Sequence, residues 1–211
     1  MSDECLHHTK RSTVKRVAKR ARYDKESVYQ LVDDLKLGHL GFVVEGKAIV
    51  IPITVWRDGD NLYIHMINKS RLQKLLEKGE EVCISFAESS EWVMSKSAYH
   101  HSANYRSVVL YCTGTRVSEE AVFDDAFKVM INQMEEGRWD KVRPPNNIER
   151  KATALMKLTI NEGSFKSRTG GPVEEPGDLS LPVWNGTKAV CPYSLTGKSL
   201  VPTKAVVNAA S

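Results

Sequence analysis

Several features that would place this chain in a membrane or outside the cell are missing. None of its 211 residues belongs to an apolar run approaching the ~20 residues that cross a bilayer. The first residues, MSDECLHH, lack the apolar stretch of a secretory signal. The four cysteines are widely spaced and form no CxxC pair, and Cys83 and Cys112 fall in apolar strand-like runs where a reduced thiol packs as a small hydrophobe. We therefore expect a reducing, cytoplasmic location without membrane contact.

The sequence also lacks the common catalytic and metal-binding motifs. It contains no HExxH, HxH or CxxC spacing for a structural zinc, no GxSxG around a nucleophilic serine and no GxGxxG of a Rossmann fold. TGKS at 196–199 imitates the end of a phosphate-binding P-loop, but Pro192 stands where the first glycine belongs. His100 and His101 are neighbours whose side chains point to opposite faces of extended backbone, so they cannot easily share one metal. We predict no metal site, while one histidine as a haem ligand remains open.

Positive charge is concentrated at the start of the chain. Residues 1–22 hold seven basic and two acidic residues, and since the whole chain carries +4, the remainder is close to neutral at −1. A body of that charge offers no general field for nucleic acid, which we do not expect as a partner. We interpret residues 1–22 as a solvated basic tail, with contact to RNA or to an import receptor as the alternative.

Local patterns predict short strands with a few inserted helices. Asp24 is an expected N-cap for a helix with Val28, Leu31 and Leu35 on one face, and Gly38 is placed to end it. Ser70 and Ser118 are expected to open two further helices. Strands are predicted at 40–44, 47–56, 62–67, 81–87, 92–99, 107–117 and 152–160. Six to seven antiparallel strands with about three helices indicate a mainly β fold, a small barrel with helical caps.

Two segments combine residue types that bind an anion. At the start of the second helix, Ser70 supplies a hydroxyl, Arg71 a planar guanidinium and Lys74 a further cation one turn later. The segment SAYHHSANYRSVV at 97–109 brings a second arginine, Arg106, at the start of a strand. If the 62–67 and 107–113 strands share one wall of the barrel, both arginines can reach one phosphate. The alternative for each segment is a set of solvated surface charges.

Pro52 interrupts the strand VIPITVW, which an edge strand or a bulge tolerates. The backbone groups of Ile51 and Ile53 beside it would then be free for a planar heterocycle, or the segment would be a plain edge strand.

Taken together, these segments resemble the flavin-nucleotide-binding, nitroimidazole-resistance-like branch of the pyridoxamine 5′-phosphate oxidase-like superfamily. The resemblance spans roughly residues 20–186 and includes LYIHMINKSRLQKLL, SAYHHSANYRSVV and GRWDKVRPP. It implies an FMN-binding split barrel at 23–186, between the basic tail at 1–22 and a C-terminal extension at 187–211 that lacks a clear pattern. It also implies a homodimer with the flavin at the subunit interface.

The resemblance assigns cofactor roles to particular residues. The phosphate would be held by Ser70, Arg71 and Arg106, with Lys74 nearby, and the ring would lie beside Ile51, Pro52, Ile53 and Thr54. His65, His101, Ser102 and Asn104 would complete the pocket. The family's oxidases end in an Arg-x-His element and an RLAP-like terminus, whereas this chain ends KAVVNAAS, which argues against vitamin B6 oxidation.

The expected function is that of an FMN-dependent oxidoreductase which uses NAD(P)H to reduce an acceptor that the sequence does not identify. The flavin would supply the reactive chemistry and the protein its position. His101 is the candidate for proton donation. The alternatives are a flavin store or sensor without catalysis, and a haem-binding split barrel with His100 or His101 as axial ligand.

Overall fold

The computed structural model describes residues 5–190. These fall into two compact units. The first unit runs up to Glu88 and resumes over Arg106–Ser167, and the second comprises Ser89–Tyr105 and the chain from Arg168 onward. The TGKS segment and most of the extension predicted at 187–211 lie outside the described residues. None of the described helices is long and apolar enough to span a membrane.

Strands dominate the described chain. The strands are β1 (Ala21–Arg22), β2 (Leu37–Val44), β3 (Lys47–Thr54), β4 (Trp56–Asp58), β5 (Asn61–Ile67), β6 (Val82–Met94), β7 (Ser102–Arg116), β8 (Thr153–Arg168) and β9 (Gly186–Ala189). The α-helices are α1 (Lys25–Leu35), α2 (Arg71–Glu77), α3 (Glu120–Met134) and α4 (Asn147–Ala152). Short 3-10 turns occupy Ala18–Arg20, Ala98–His100, Trp139–Lys141 and Pro176–Asp178.

The strands form one sheet in the order β3-β2-β6-β7-β8-β5-β4, with β1 added to β8 and β9 added to β6. The pairs β2–β3, β2–β6, β4–β5 and β5–β8 are antiparallel. β3 ends the order, and Cα atoms of β3 and β5 approach within 8 Å without pairing. The predicted mainly β fold with helical caps is confirmed, and it is a split barrel because its sheet does not close.

The core of the first unit lies between the sheet and its helices. One cluster contains Val28 and Leu31 of α1, both fully buried, packed with the inward side chains of the sheet such as Leu40 and Phe86. A second, smaller cluster joins α3 to β4 and β5 through Phe123, Trp56 and Tyr63. The first cluster fills the barrel and the second holds α3 on its outside.

The first helix ends differently from its prediction. Asp24 is its N-cap as expected, and its carboxylate accepts the Ser27 N–H at 2.8 Å. The C-terminal residue in left-handed conformation is Lys36, at φ 53°, and not a glycine. Gly38 lies inside β2, where an added Cβ would come within 2.9 Å of Ile84 Cγ2. The glycine therefore serves close packing, which helix-end statistics cannot distinguish from capping.

Three further element predictions are wrong. The strands predicted at 81–87 and 92–99 are connected, because β6 continues through Met94 and a 3-10 turn then covers Ala98–His100. The N-cap of α3 is Glu119, without a side-chain capping bond, instead of Ser118. The apolar spacing after Ser118 also predicts that Val122 and Met134 are buried, but they are 40% and 59% exposed.

The interpretation of residues 1–22 as a solvated tail is wrong from Cys5 onward. A bridge between Cys5 and Asp24 closes residues 5–24 into a loop, which we call the basic loop. Leu6 is buried and its N–H donates to Tyr23 O at 2.7 Å. The Glu162 carboxylate, on β8, accepts the Ser12 hydroxyl at 2.5 Å and Arg11 Nε–H at 2.8 Å. A buried carboxylate with these donors holds the loop on the sheet.

The packing of the basic loop on β8 requires a glycine at position 163. A Cβ added there would lie 2.5 Å from Leu110 Cδ2 and 3.3 Å from Leu6 Cδ1. We expect Gly163→Ala to destabilise the protein by about 1–3 kcal/mol through overpacking, measured as the free energy of urea unfolding. Gly177→Ala is the control, since nothing lies within 4 Å of a Cβ at that position. Equal stability of the two variants would contradict this account of the packing.

Candidate functional site

The start of α2 is built as the sequence predicts. Ser70 is its N-cap, and its hydroxyl oxygen accepts the Gln73 N–H at 3.2 Å. The side chains of Arg71 and Lys74 are exposed and have no hydrogen-bond or ion-pair partner among the described residues. Since α2 has only seven residues, its dipole is short and the two cations provide most of the positive potential. This is an open cationic surface for an anion.

Arg106 has a different environment. On β7, its guanidinium is 2.5 Å from Glu88 of β6 and 2.9 Å from Asp34 at the end of α1. Two carboxylates outweigh the single positive charge of the arginine. An added phosphate would therefore have to displace at least one of these carboxylates before Arg106 could bind it.

That Arg71 and Arg106 of one chain reach the same phosphate stays a prediction, and their positions along β8 do not favour it. Both predicted strands do belong to one sheet, with β8 between them. Ile67, before α2, pairs with Thr153 of β8, whereas Ser107, next to Arg106, donates its hydroxyl to Lys166 O. Thirteen residues of one strand separate these two contacts, roughly 43 Å of contour at about 3.3 Å per residue. The two arginines lie near opposite ends of β8.

A different arginine lies beside α2. Arg116, at the end of β7, donates to Asn68 Oδ1 and to Glu77 Oε1, each at 3.2 Å. Asn68 in turn donates its amide to Lys151 O at 2.9 Å, next to the start of β8. Sequence reasoning missed Arg116 because it is 45 residues after Arg71 in the chain, and only the antiparallel return of β7 brings it back.

The four predicted ring-binding residues of β3 divide between two faces. Ile51 and Ile53 point inward and pack on the core. Pro52 and Thr54 point outward on the strand that ends the sheet order, opposite His39 and Leu37 of β2. Pro52 is thus on an edge strand, as its missing N–H requires. A planar ligand on the outside can meet Pro52 and Thr54 but not the side chains of Ile51 and Ile53.

The outward side of this hairpin has an unusual composition. We call it the outer hairpin face, and it comprises Leu37, His39, Gly41, Val43, Ala48, Val50, Pro52 and Thr54. It contains no lysine, arginine or carboxylate, although a solvated strand face is usually polar. Val43 is 57% and Val50 64% exposed. Gly41, Val43, Ala48 and Val50 of this face line an open cleft of about 430 Å³, which Arg11, Glu80, Glu81, Cys83 and Tyr111 also line.

His65 lies among aromatic rings. Its ring centroid is 5.9 Å from that of Trp56 and 5.6 Å from that of Phe127. The side chain is accessible, yet the loss of water around it lowers the pKa of His65 below its ordinary value. Trp56 is buried, and its Nε1–H has no acceptor in the described part of the chain. The pair offers a neutral imidazole and an unused donor.

The second unit contains the two adjacent histidines. His100 Nε2 is 3.3 Å from Glu175, while His101 Nδ1 is 3.0 Å from Ser97 O. Because a carbonyl oxygen only accepts, this contact places the neutral His101 proton on Nδ1 and leaves Nε2 as an exposed acceptor. In that tautomer Nε2 can bind a metal or accept a proton, and the predicted role of His101 as a proton donor stays a prediction.

Asn104 is a structural bridge within the second unit. Its amide donates to Glu91 at 2.6 Å, and its carbonyl accepts from Arg168, which also donates to Gly170 O at 3.0 Å. Asn104 and Arg168 are both buried. Ser102 begins β7 and is half-buried. The cofactor contacts predicted for Ser102 and Asn104 stay predictions, and the role of Arg168 was missed because Asn104, its buried side-chain partner, is 64 residues away in the sequence.

Two of these surfaces fit parts of a flavin. The unpaired cations of α2 suit its phosphate, and the uncharged outer hairpin face suits its ring system. Among residues 5–190, no three His, Cys, Asp or Glu side chains are grouped to hold a metal ion.

Comparison with known proteins agrees with the predicted resemblance. The family model described as pyridoxamine 5′-phosphate oxidase matches residues 24–167. The flavocytochrome Anf3 from Azotobacter vinelandii is 34% identical, with a TM-score of 0.81, over 87% of this chain and 85% of that one. A search of curated proteins gives no match.

Two solved structures of lower identity share the fold. The FAD and heme binding protein from Mycobacterium smegmatis is 24% identical, with a TM-score of 0.75, over 81% of this chain and 84% of that one. A candidate 5-nitroimidazole antibiotic resistance protein from Bacteroides thetaiotaomicron is 14% identical, with a TM-score of 0.58, over 69% and 85%.

The environment of His65 predicts a pH dependence of stability. Its folded pKa lies below the 6.5 of the unfolded chain, so unfolding is favoured as pH falls through 6.5 and the unfolded state takes up the proton. We expect the melting temperature of the wild type to drop more between about pH 7.5 and about pH 5.5 than that of His65→Asn. An NMR titration of the imidazole checks the pKa directly, and a midpoint at or above 6.5 would contradict it.

Proposed function

Since this chain belongs to the pyridoxamine 5′-phosphate oxidase family, we propose that it is a flavin-dependent oxidoreductase with NAD(P)H as reductant. The observation that carries the proposal is the pair of unpaired cations, Arg71 and Lys74, beside the Ser70 cap. A bound flavin would supply the transfer of hydride or of single electrons. We propose FMN as that flavin, with FAD as the other outcome of the test below.

In this proposal Arg71 grips two phosphate oxygens and Lys74 adds a point charge one turn along the helix. Ser70 donates its hydroxyl proton to the same group, because its oxygen already accepts the Gln73 N–H. Pro52 and Thr54 line the ring from the outer hairpin face. Arg106 stays with Glu88 and Asp34 and orients that corner of β7, unless phosphate displaces a carboxylate.

We further propose that the chain acts as a homodimer with the flavin at the subunit interface. The uncharged outer hairpin face supports this, since a second copy would remove Val43 and Val50 from water. A dimer would also let two arginines approach one phosphate. The spacing along β8 applies to Arg71 and Arg106 of one chain, but not to Arg71 of one subunit and Arg106 of the other.

A flavin store or sensor is the non-catalytic alternative. NAD(P)H-dependent bleaching of the flavin absorbance would favour the oxidoreductase, and unchanged absorbance with every reductant offered would favour the store.

Flavin retention tests the α2 surface. We expect Arg71→Ala/Lys74→Ala to purify with less than about a tenth of the wild-type flavin, since two charge-assisted contacts to phosphate are lost. Flavin released by heat is quantified by absorbance and identified as FMN or FAD by chromatography. Lys78→Ala, at the other end of the same helix, is the matched control and should retain flavin. Light scattering should give twice 23.7 kDa for all three proteins, and full retention in the double variant would sink the proposal.

Haem binding is a second candidate function. The relative that is 34% identical is a flavocytochrome, a word for a protein with both flavin and haem. In this chain, His101 Nε2 is exposed while Nδ1 is fixed on Ser97 O, the arrangement that orients a metal-binding imidazole. The second unit also exposes large apolar side chains, namely Trp92, Tyr99, Val173, Leu179, Leu181, Val183 and Trp184.

Substitution of each of the two adjacent histidines tests whether this chain binds haem. Because His100 Nε2 faces Glu175 and His101 Nε2 is free, we expect His101→Ala to lose haem binding and His100→Ala to retain it. The Soret band after titration with haemin, compared with wild type, measures the difference. Equal loss in both variants would contradict the assignment to His101.

A further inference from the structure

The basic loop presents cations that the fold does not use. Of its seven basic side chains, only Arg11 forms an ion pair in the described part of the chain, with Glu81 and Glu162. All of the others are exposed apart from Arg20, which is half-buried. They are Lys10, Lys15, Arg16, Lys19, Arg20 and Arg22. No acidic residue occurs between Glu4 and Asp24, so the loop carries a strong local positive charge.

These cations sit on an anchored backbone. Tyr23 Oη accepts the Val14 N–H at 3.0 Å, and Lys166 Nζ donates to Arg16 O at 3.0 Å. At the tip, Val17 is held at φ 52°, a region that a β-branched residue rarely adopts. A partner that binds these cations has to order their side chains but little of the backbone, which lowers part of the entropic cost of association.

The composition of the loop narrows the chemistry of that partner. The tip contains no aromatic side chain to stack on bases, and Tyr23 is already stacked on His8 with 4.0 Å between ring centroids. Val17 is the large apolar side chain exposed at the tip, too little for insertion into a lipid surface. An acidic protein surface needs neither feature and matches the charge.

The position of the loop indicates what such a protein would do. Arg22 and Arg106 line one open cleft of about 510 Å³, whose other lining residues include the carboxylates Asp24 and Glu26. The loop therefore opens beside Arg106, which joins the proposed flavin site only from the second subunit of the proposed dimer. Electron-transfer encounters bury little area and are steered by opposite charge.

We infer that the basic loop is the docking surface for a small acidic electron-carrier protein, which is the acceptor of the proposed reaction. The inference rests on the proposed function. One NAD(P)H gives up a hydride, two oxidised carriers each gain one electron, and one proton is released to solvent, so charge and electrons balance. The carboxylates of such a carrier would bind the lysine and arginine side chains of the loop.

Binding of an acidic carrier tests the inference. The probe is an oxidised plant-type [2Fe–2S] ferredoxin, titrated calorimetrically onto the full chain at about 20 mM and about 200 mM NaCl. We expect Lys15→Glu/Arg16→Glu/Lys19→Glu to raise the dissociation constant at least about tenfold at the lower salt concentration. Lys47→Glu/Lys78→Glu/Lys128→Glu, which changes the net charge equally at exposed positions, is the matched control and should bind as wild type does.

Flavin content, measured in the same preparations, separates the two proposals. Wild type that holds flavin but does not bind ferredoxin, or binds it equally after loop reversal, overturns the docking surface and leaves the proposed function standing. Loop-dependent binding to chains that hold no flavin supports the surface while the proposed function fails. Equal loop-dependent binding of poly(U) RNA or of phosphatidylserine vesicles would overturn the choice of a protein partner.

Discussion

The antiparallel pairing of β8 is the constraint on which the rest of the first unit depends. This strand pairs with β5 through seven registered positions and with β1 at its far end, and it follows β7 in the sheet order. Leu6 packs at its Gly163, its Glu162 binds the basic loop, and its two ends adjoin the segment before α2 and the segment around Arg106. One strand thereby determines which charged groups can meet within a subunit.

Charge in the first unit is divided into neutralised and unneutralised groups. Arg106 and Arg11 each bind two carboxylates and hold elements together. Arg71 and Lys74 bind none in the described chain and are available to a ligand. Since an exposed ion pair contributes little to stability, the paired arginines matter mainly for position, whereas the unpaired ones are where an anion gains the most.

The sequence predicted what local patterns control. The two strands on either side of residues 45 and 46, the Asp24 cap and the Ser70 cap all depend on neighbours within a few residues, and all are present. What it could not predict depends on pairing between distant segments. Gly38 is needed because Ile84 faces it, Arg116 reaches α2 because β7 returns, and residues 1–22 are anchored because β8 supplies Glu162. For the candidate site, the sequence predicted the hydroxyl and the cations at the start of α2. It could not predict to which face of β3 each side chain points, because the register with β2 decides that.

The hydrogen bonds between the basic loop and Glu162 have a consequence for any shortened form of the protein. Judged from the sequence, a chain that begins at Tyr23 would lack only a charged tail. It would instead leave Glu162, only 4% exposed, without Thr9, Arg11 and Ser12, and would uncover the notch at Gly163 that Leu6 fills. Truncation would therefore remove part of the barrel wall, and a loss of cofactor in such a chain would say nothing about the loop's charges.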